Sequence, residues 1–187
     1  MCFNTKTERK RRSFGLCASV YPCGFIDNIQ MMQSSESLTL ISIIVADSVH
    51  KNSNLRFIGY DFACGLYRHI NGLRAISGEF EENIQRIKSL TFVVDKFHSR
   101  THSCLKKKDC THRWESYDEL KSENSQICEQ TFKFFRKLYS NLSSCSIRTC
   151  FLIYLTIIFH RNLQMEQKKN ATQLQANLSK YKRKRKT

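Results

Sequence analysis

One proline and six glycines in 187 residues leave no material for a flexible linker, so the chain reads as a single domain with short connections. No internal repeat interrupts it. Nor is there an apolar run of the roughly 20 residues that span a bilayer. The most apolar stretch, CFLIYLTIIF from Cys150 to Phe159, is about half that length and reads as a core helix or strand. The opening MCFNTKTERKRRS is basic with no apolar segment behind it, so no secretory signal and no membrane association through one is expected. Acidic residues are scarce as well. Sixteen Asp and Glu face 31 Lys and Arg, a net charge of +15 with a pI near 9.6, which points to a polyanionic partner. Nucleic acid is the first reading and an anionic membrane surface the competing one.

What the chain does have is cysteine, nine in all, scattered and odd in number. Without a secretory signal these are expected to be reduced thiols of the cytosol or nucleus, a minority of them free to bind metal and the rest acting as small apolar residues. A hydrophobic content of 41% supports a real core.

Read in order, residues 1–13 form a basic leader expected to be disordered. Two short strands, Leu16 to Tyr21 and Phe25 to Met31, flank a Pro-Cys-Gly turn and predict a hairpin. Ser34 or Ser35 can cap a following helix in which Leu38, Ile41, Val45 and Val49 recur at helical spacing, although its β-branched middle also suits a strand. Next, FIGYDFACGL from Phe57 to Leu66 reads as a buried strand with Asp61 near its far end. A carboxylate there is costly to bury unless it is paired, hydrogen-bonded or bound to metal; the alternative role is a cap for the helix that follows. Helices continue to Leu90, then a strand runs to Asp95 and His98. A short helix opens at Ser116 with a capping box to Glu119, and a long one follows from Asn124 with Ile127, Thr131, Phe135, Leu138 and Leu142 on one face. Glu129 falls in its first turn, where helix-dipole stabilisation is the plain explanation. A last helix carries Ile147 to Ile158, and residues 166–187 form a basic helical or disordered tail.

Residues 98–114 differ in kind. HSRTHSCLKKKDCTHRW holds His98, His102, Cys104, Cys110 and His112 among basic and small residues, with almost nothing aliphatic to pack. Four of those ligands suffice for a closed tetrahedral zinc site, which would order such a segment; exposed His and Cys in a basic loop are the alternative. Lys106, Lys107 and Lys108 beside it, and Lys182, Arg183, Lys184, Arg185 and Lys186 at the end of the chain, are candidate phosphate contacts. The terminal run equally suits a nuclear localisation signal, and the expected location is the nucleus.

Four segments then carry a resemblance. GLCASVYPCGFIDNIQMMQSSES, FIGYDFACGL, FVVDKFHSRTHSC and NSQICEQ, in that order, resemble the C-terminal part of the eukaryotic KDZ (Kyakuja, Dileera and Zisupton) transposases of the D-D-E class. The resemblance covers roughly residues 14–165. It implies a partial ribonuclease H-like fold, a mixed sheet flanked by helices with a His/Cys insert and a helical C-terminal part. By the same resemblance Asp61 is the second catalytic carboxylate and Glu129 the third, holding Mg²⁺ or Mn²⁺, while insertions of the H-x3-H-x-C kind in that family favour zinc on His98, His102 and Cys104. The implied ancestral reaction is metal-dependent DNA strand cleavage and transfer. A first catalytic Asp is expected on a strand before the hairpin, where this chain has its basic leader, so an incomplete active site is expected. The rival readings are a non-enzymatic zinc-containing nucleic-acid-binding protein and a transposon remnant without function.

Overall fold

The computed structural model describes residues 15–32, 35–74, 79–100, 102–106, 110–142 and 145–184; the leader at 1–13, Lys107, Lys108, Arg185 and Lys186 lie outside them. The architecture is mixed α/β with five helices and two small sheets.

Strands β1 (Gly15–Val20) and β2 (Ile26–Met32) pair antiparallel, Gly15 opposite Met32, with an irregularity at Ser19/Val20. The turn between them closes through Gly24 N–H donating to Tyr21 O at 2.8 Å, and Gly24 sits at φ +91°, a backbone state that glycine adopts without strain. Asn162, far along the chain, clips this hairpin by accepting from Ile26 N–H at 2.9 Å and donating to Ile26 O at 2.8 Å.

Helix α1 (Leu38–Lys51) is capped by Ser37, whose Oγ accepts from Leu40 N–H at 3.2 Å, rather than by Ser34 or Ser35. Its β-branched middle is helical because Ile41, Ile44, Val45 and Val49 are buried together on one side; burial of each, at about 1.5–3 kcal/mol, outweighs a propensity penalty of under 1 kcal/mol.

Strands β3 (Phe57–Gly59) and β4 (Thr91–Val93) pair in parallel, Phe57 with Thr91 and Gly59 with Val93. Parallel neighbours need a crossover, supplied here by α2 (Ala63–Gly72) and α3 (Glu79–Lys88). Gly59 allows close approach of the Trp114 ring, whose Cζ3 would lie 3.1 Å from an added Cβ. After β4 the chain passes through short 3₁₀ turns and returns beside it, Val94 N–H donating to His112 O at 2.8 Å. The expected helix at Ser116 is two such turns, 114–116 and 118–120, held by Trp114 Nε1–H donating to Leu120 O at 2.7 Å.

Helix α4 (Ile127–Leu142) buries Thr131, Phe135 and Leu142 on the expected face. Helix α5 (Ile147–Lys184) takes in both the apolar stretch and the expected tail; among the described residues no helix is long and apolar enough to cross a membrane.

Two main cores result. One joins Ile41, Val45, Leu66, Ile70, Leu90 and Phe92 from α1, α2 and the parallel pair; the other joins Ile26 with Phe135, Tyr154 and Ile158 of the hairpin, α4 and α5. The expected single mixed sheet is instead two ladders. Cys17 of β1 packs on the first core by its side chain, and the two sheets share no backbone pairing among the described residues.

Candidate metal centres at the ends of the parallel strands

The parallel register brings the first site together. Asp61 and Asp95 each lie two residues beyond the paired Gly59 and Val93, so the carboxyl ends of neighbouring strands deliver two acids to one place, where ligands of α/β folds collect. Asp61 occupies the turn before α2, whose N-cap is Phe62 without a side-chain cap bond, so Asp61 does not cap that helix. Glu129, in the first turn of α4, and His98, in the turn after β4, complete the group; one ligand atom from each of the four lies within 4.8 Å of the others.

His98 Nδ1 is the hub. It lies 2.5 Å from Asp95 Oδ2, 3.3 Å from Asp61 Oδ1 and 3.7 Å from Glu129 Oε1. Asp95 is held tightly, its Oδ1 accepting from Phe97 N–H at 2.7 Å and His98 N–H at 3.0 Å, and its side chain is only 7% exposed. Asp61 and Glu129 differ, with side chains 65% and 42% exposed and oxygens open to solvent.

Charge follows this geometry. Desolvation raises the Asp61 carboxyl above its ordinary range, with Asp95 and Glu36 adding to it and His98 opposing. Glu129 is raised by desolvation, then by Asp95 and Asp61. For His98, desolvation works downward, yet the Asp95 hydrogen bond and the three carboxylate charges outweigh it and raise the imidazole. Neighbouring Cys128 is pushed up to about 12 by burial and then by Glu129 and Asp61, so it stays a thiol. Such a gathering of acids favours a cation.

A second group lies alongside. His102 Nδ1 is 3.1 Å from Cys104 Sγ and 3.7 Å from Cys64 Sγ, and Cys110 Sγ is 3.9 Å from Cys104 Sγ. Burial and the thiols of Cys64 and Cys110 push Cys104 up to about 12. Cys64, His102 and Cys104 form a cluster able to hold a metal ion.

Of the sequence candidates, then, His102 and Cys104 converge with Cys64, and Cys110 stands beside Cys104 but outside that three-ligand group. His98 stands with the carboxylates, and His112 Nδ1 lies 2.8 Å from Phe92 O, where a protonated nitrogen donates to the β4 backbone, with its ring 5.2 Å from that of Tyr67. Asp95 and Cys64 were not site candidates in the sequence. Asp95 ends a strand as Asp61 does, which was the available signal; Cys64 begins α2 inside an apolar run and offered none. Lys106 is exposed; Lys182, Arg183 and Lys184 lie on the last turns of α5.

No curated protein and no solved structure matches the chain. A family model does, that of the Kyakuja-Dileera-Zisupton transposases, over residues 3–151, a span that takes in the hairpin, both strand-end acids, the whole His/Cys segment and Glu129. The chain belongs to the Kyakuja-Dileera-Zisupton transposase family.

Proposed function

We propose that this is a transposase-derived, DNA-binding protein whose strand-end acids are the metal site of a ribonuclease H-like catalytic domain, incomplete for DNA cleavage as this chain stands. The observation that carries the reading is the convergence of Asp61 and Glu129, remote in sequence, on the same His98 Nδ1. Two parallel strands ending in acids, a helical crossover and a later helix bearing Glu in its first turn support the same architecture.

The donor set fits a hard cation, since carboxylate oxygens suit Mg²⁺ or Mn²⁺. Asp61 and Glu129 would hold it. A divalent ion there supplies Lewis-acid polarisation of a phosphodiester and activation of the attacking hydroxyl. Asp95 instead commits three of its roughly four lone-pair sites to Phe97 N–H, His98 N–H and the imidazole, which fixes His98 in place and leaves it less free than Asp61 and Glu129 to bridge two ions. Two open carboxylates suit one ion, whereas in-line phosphoryl transfer by this class of site uses a pair about 4 Å apart.

The thiol group fits a softer ion. In a tetrahedral zinc site, bond lengths of about 2.3 Å to sulfur and about 2.0 Å to nitrogen place two sulfurs roughly 3.8 Å apart and sulfur roughly 3.6 Å from nitrogen. Here His102 Nδ1 stands 3.7 Å from Cys64 Sγ and 3.1 Å from Cys104 Sγ, the second inside the ideal spacing, and Cys110 Sγ stands 3.9 Å from Cys104 Sγ; this donor set suits zinc. The chain's +15 charge, with Lys106 and with Lys133, Arg136 and Lys137 exposed on α4, suits a DNA backbone, and the basic end of the chain suits nuclear import.

Manganese titration followed by electron paramagnetic resonance, with plasmid nicking in the same buffer, tests the reading. Binding weakened at least about tenfold by Asp61→Ala and by Glu129→Ala, without nicking, is expected. Unchanged binding in both variants overturns the metal assignment, and nicking that Asp61→Ala abolishes overturns the incompleteness. DNA affinity should also fall linearly in log–log form with salt.

A further inference from the structure

The two clusters are built on the same two short pieces of chain. Asp61 and Cys64 are three residues apart across the β3–α2 turn, and His98 and His102 are four apart after β4. Each piece therefore gives one ligand to the oxygen group and one to the sulfur group. Phe62, between Asp61 and Cys64 in sequence, has its ring 5.9 Å from that of His102 and folded over Gly65, where an added Cβ would lie 2.0 Å from the ring. With so little slack, moving Cys64 relative to His102 moves Asp61 relative to His98.

We infer that Cys64 closes a four-ligand zinc site with His102, Cys104 and Cys110, and that the ion in this site acts as a clamp that positions Asp61 against Asp95 and Glu129. Three thiolates and one imidazole make a closed structural site with no open position for substrate. Cys64 differs from the other three ligands in origin. It comes from a helix rooted in the first core, beside the fully buried Ala63 and Leu66, whereas His102, Cys104 and Cys110 belong to a segment with little apolar surface of its own, which reaches that core through Cys104 and Cys110. The zinc thus reinforces a thin contact between the core and the insert. Cys64 is a positioning residue for the acidic site: it touches no group of that site, and its influence travels through the Asp61–Cys64 turn. Each thiol gives up its proton to solvent on binding, so formation of the site releases up to three protons and involves no redox change.

This inference rests on the acidic cluster being a cation site, and the experiment separates the two. The full chain is loaded with zinc, its metal content is measured, and cobalt is exchanged in so that sulfur-to-cobalt charge-transfer absorption reports the number of thiolates. Manganese affinity is measured in parallel for the unaltered chain and for Cys64→Ser, Cys64→His and Cys145→Ser. Expected are one zinc per chain, a loss of about one-third of the charge-transfer absorption in Cys64→Ser as three thiolates become two, and about tenfold weaker manganese binding in that variant. Cys64→His, which keeps a ligand, restores zinc and manganese affinity together, a rescue that lost packing alone would not give; Cys145→Ser changes neither. Absent zinc, or an unchanged cobalt spectrum in Cys64→Ser, removes Cys64 from the site and overturns the inference while leaving the acidic cluster as proposed. Zinc lost in Cys64→Ser with manganese affinity intact overturns the clamp. Zinc bound through Cys64 in a chain that binds no manganese overturns the acidic cation site, and the clamp with it.

Discussion

The oxygen cluster and the sulfur cluster stand on the same turns, yet their construction is opposite. In the oxygen cluster, a buried Asp95 with three hydrogen-bond contacts holds a hub imidazole while Asp61 and Glu129 are partly open to solvent. In the sulfur cluster, Cys64 is buried and its partners are half-buried. The lesson is that neighbouring sites can avoid competing for one metal by ligand softness alone, hard carboxylates on one side and thiolates on the other.

The comparison breaks most visibly if the soft site is removed. Cys104→Ser, at the centre of the sulfur group, is expected to weaken zinc binding by at least about a hundredfold, and amide exchange should rise from Phe97 to Trp114 while α1 and α5 keep their protection. Exchange that rises everywhere would mean that the insert is part of the global folding unit.

Asp95 sharpens the contrast from the other side. In Asp95→Ala, two part-buried backbone N–H groups and an imidazole lose their acceptor, a cost of about 1–3 kcal/mol in urea unfolding, with the zinc content unchanged. Asp61→Ala removes an exposed carboxylate from the same site and should leave the metal-free chain as stable or slightly more so, because repulsion is relieved. Equal destabilisation by the two substitutions would contradict their different roles.

The smallest effect is on pH. Asp61 and Glu129 are raised in the folded state, so the fold binds more protons than the unfolded chain from the ordinary carboxylate range upward, and metal-free stability declines as pH rises through their folded values. His98 is raised as well, so its contribution is complete below about 6.5 and is lost as pH rises through its folded value. The two add. A melting temperature that falls by a few degrees from acid to neutral pH without metal is expected, with the carboxylate limb flattened by saturating Mg²⁺ and the upper limb removed in His98→Gln. A melting temperature that rises over that range would reverse the assigned directions.

Much of this was readable in advance because it is local. The hairpin shows in its turn residues and alternation, α4 in the spacing from Thr131 to Phe135 to Leu142, and the exposure of Glu129 in its first-turn position. The helical state of the β-branched α1 was less readable, since packing against Leu66 and Phe92 decided it. A helical tail was one of two readings the sequence left open, because its polar composition carries only a thin apolar stripe; α5 runs on through it as far as Lys184.

By itself, then, the sequence determined that Asp61 ends a strand, that Glu129 opens a helix and that a His/Cys segment without a core of its own lies between them, all consequences of periodicity and composition over a few turns. Tertiary structure alone decided which ligands stand together. The parallel register of β3 and β4 set Asp95 beside Asp61 and drew His98 to the acids, and the seating of α2 on the first core turned Cys64 toward His102. Those groupings depend on crossovers tens of residues long, and no pattern of neighbouring residues encodes where such a crossover brings the chain back.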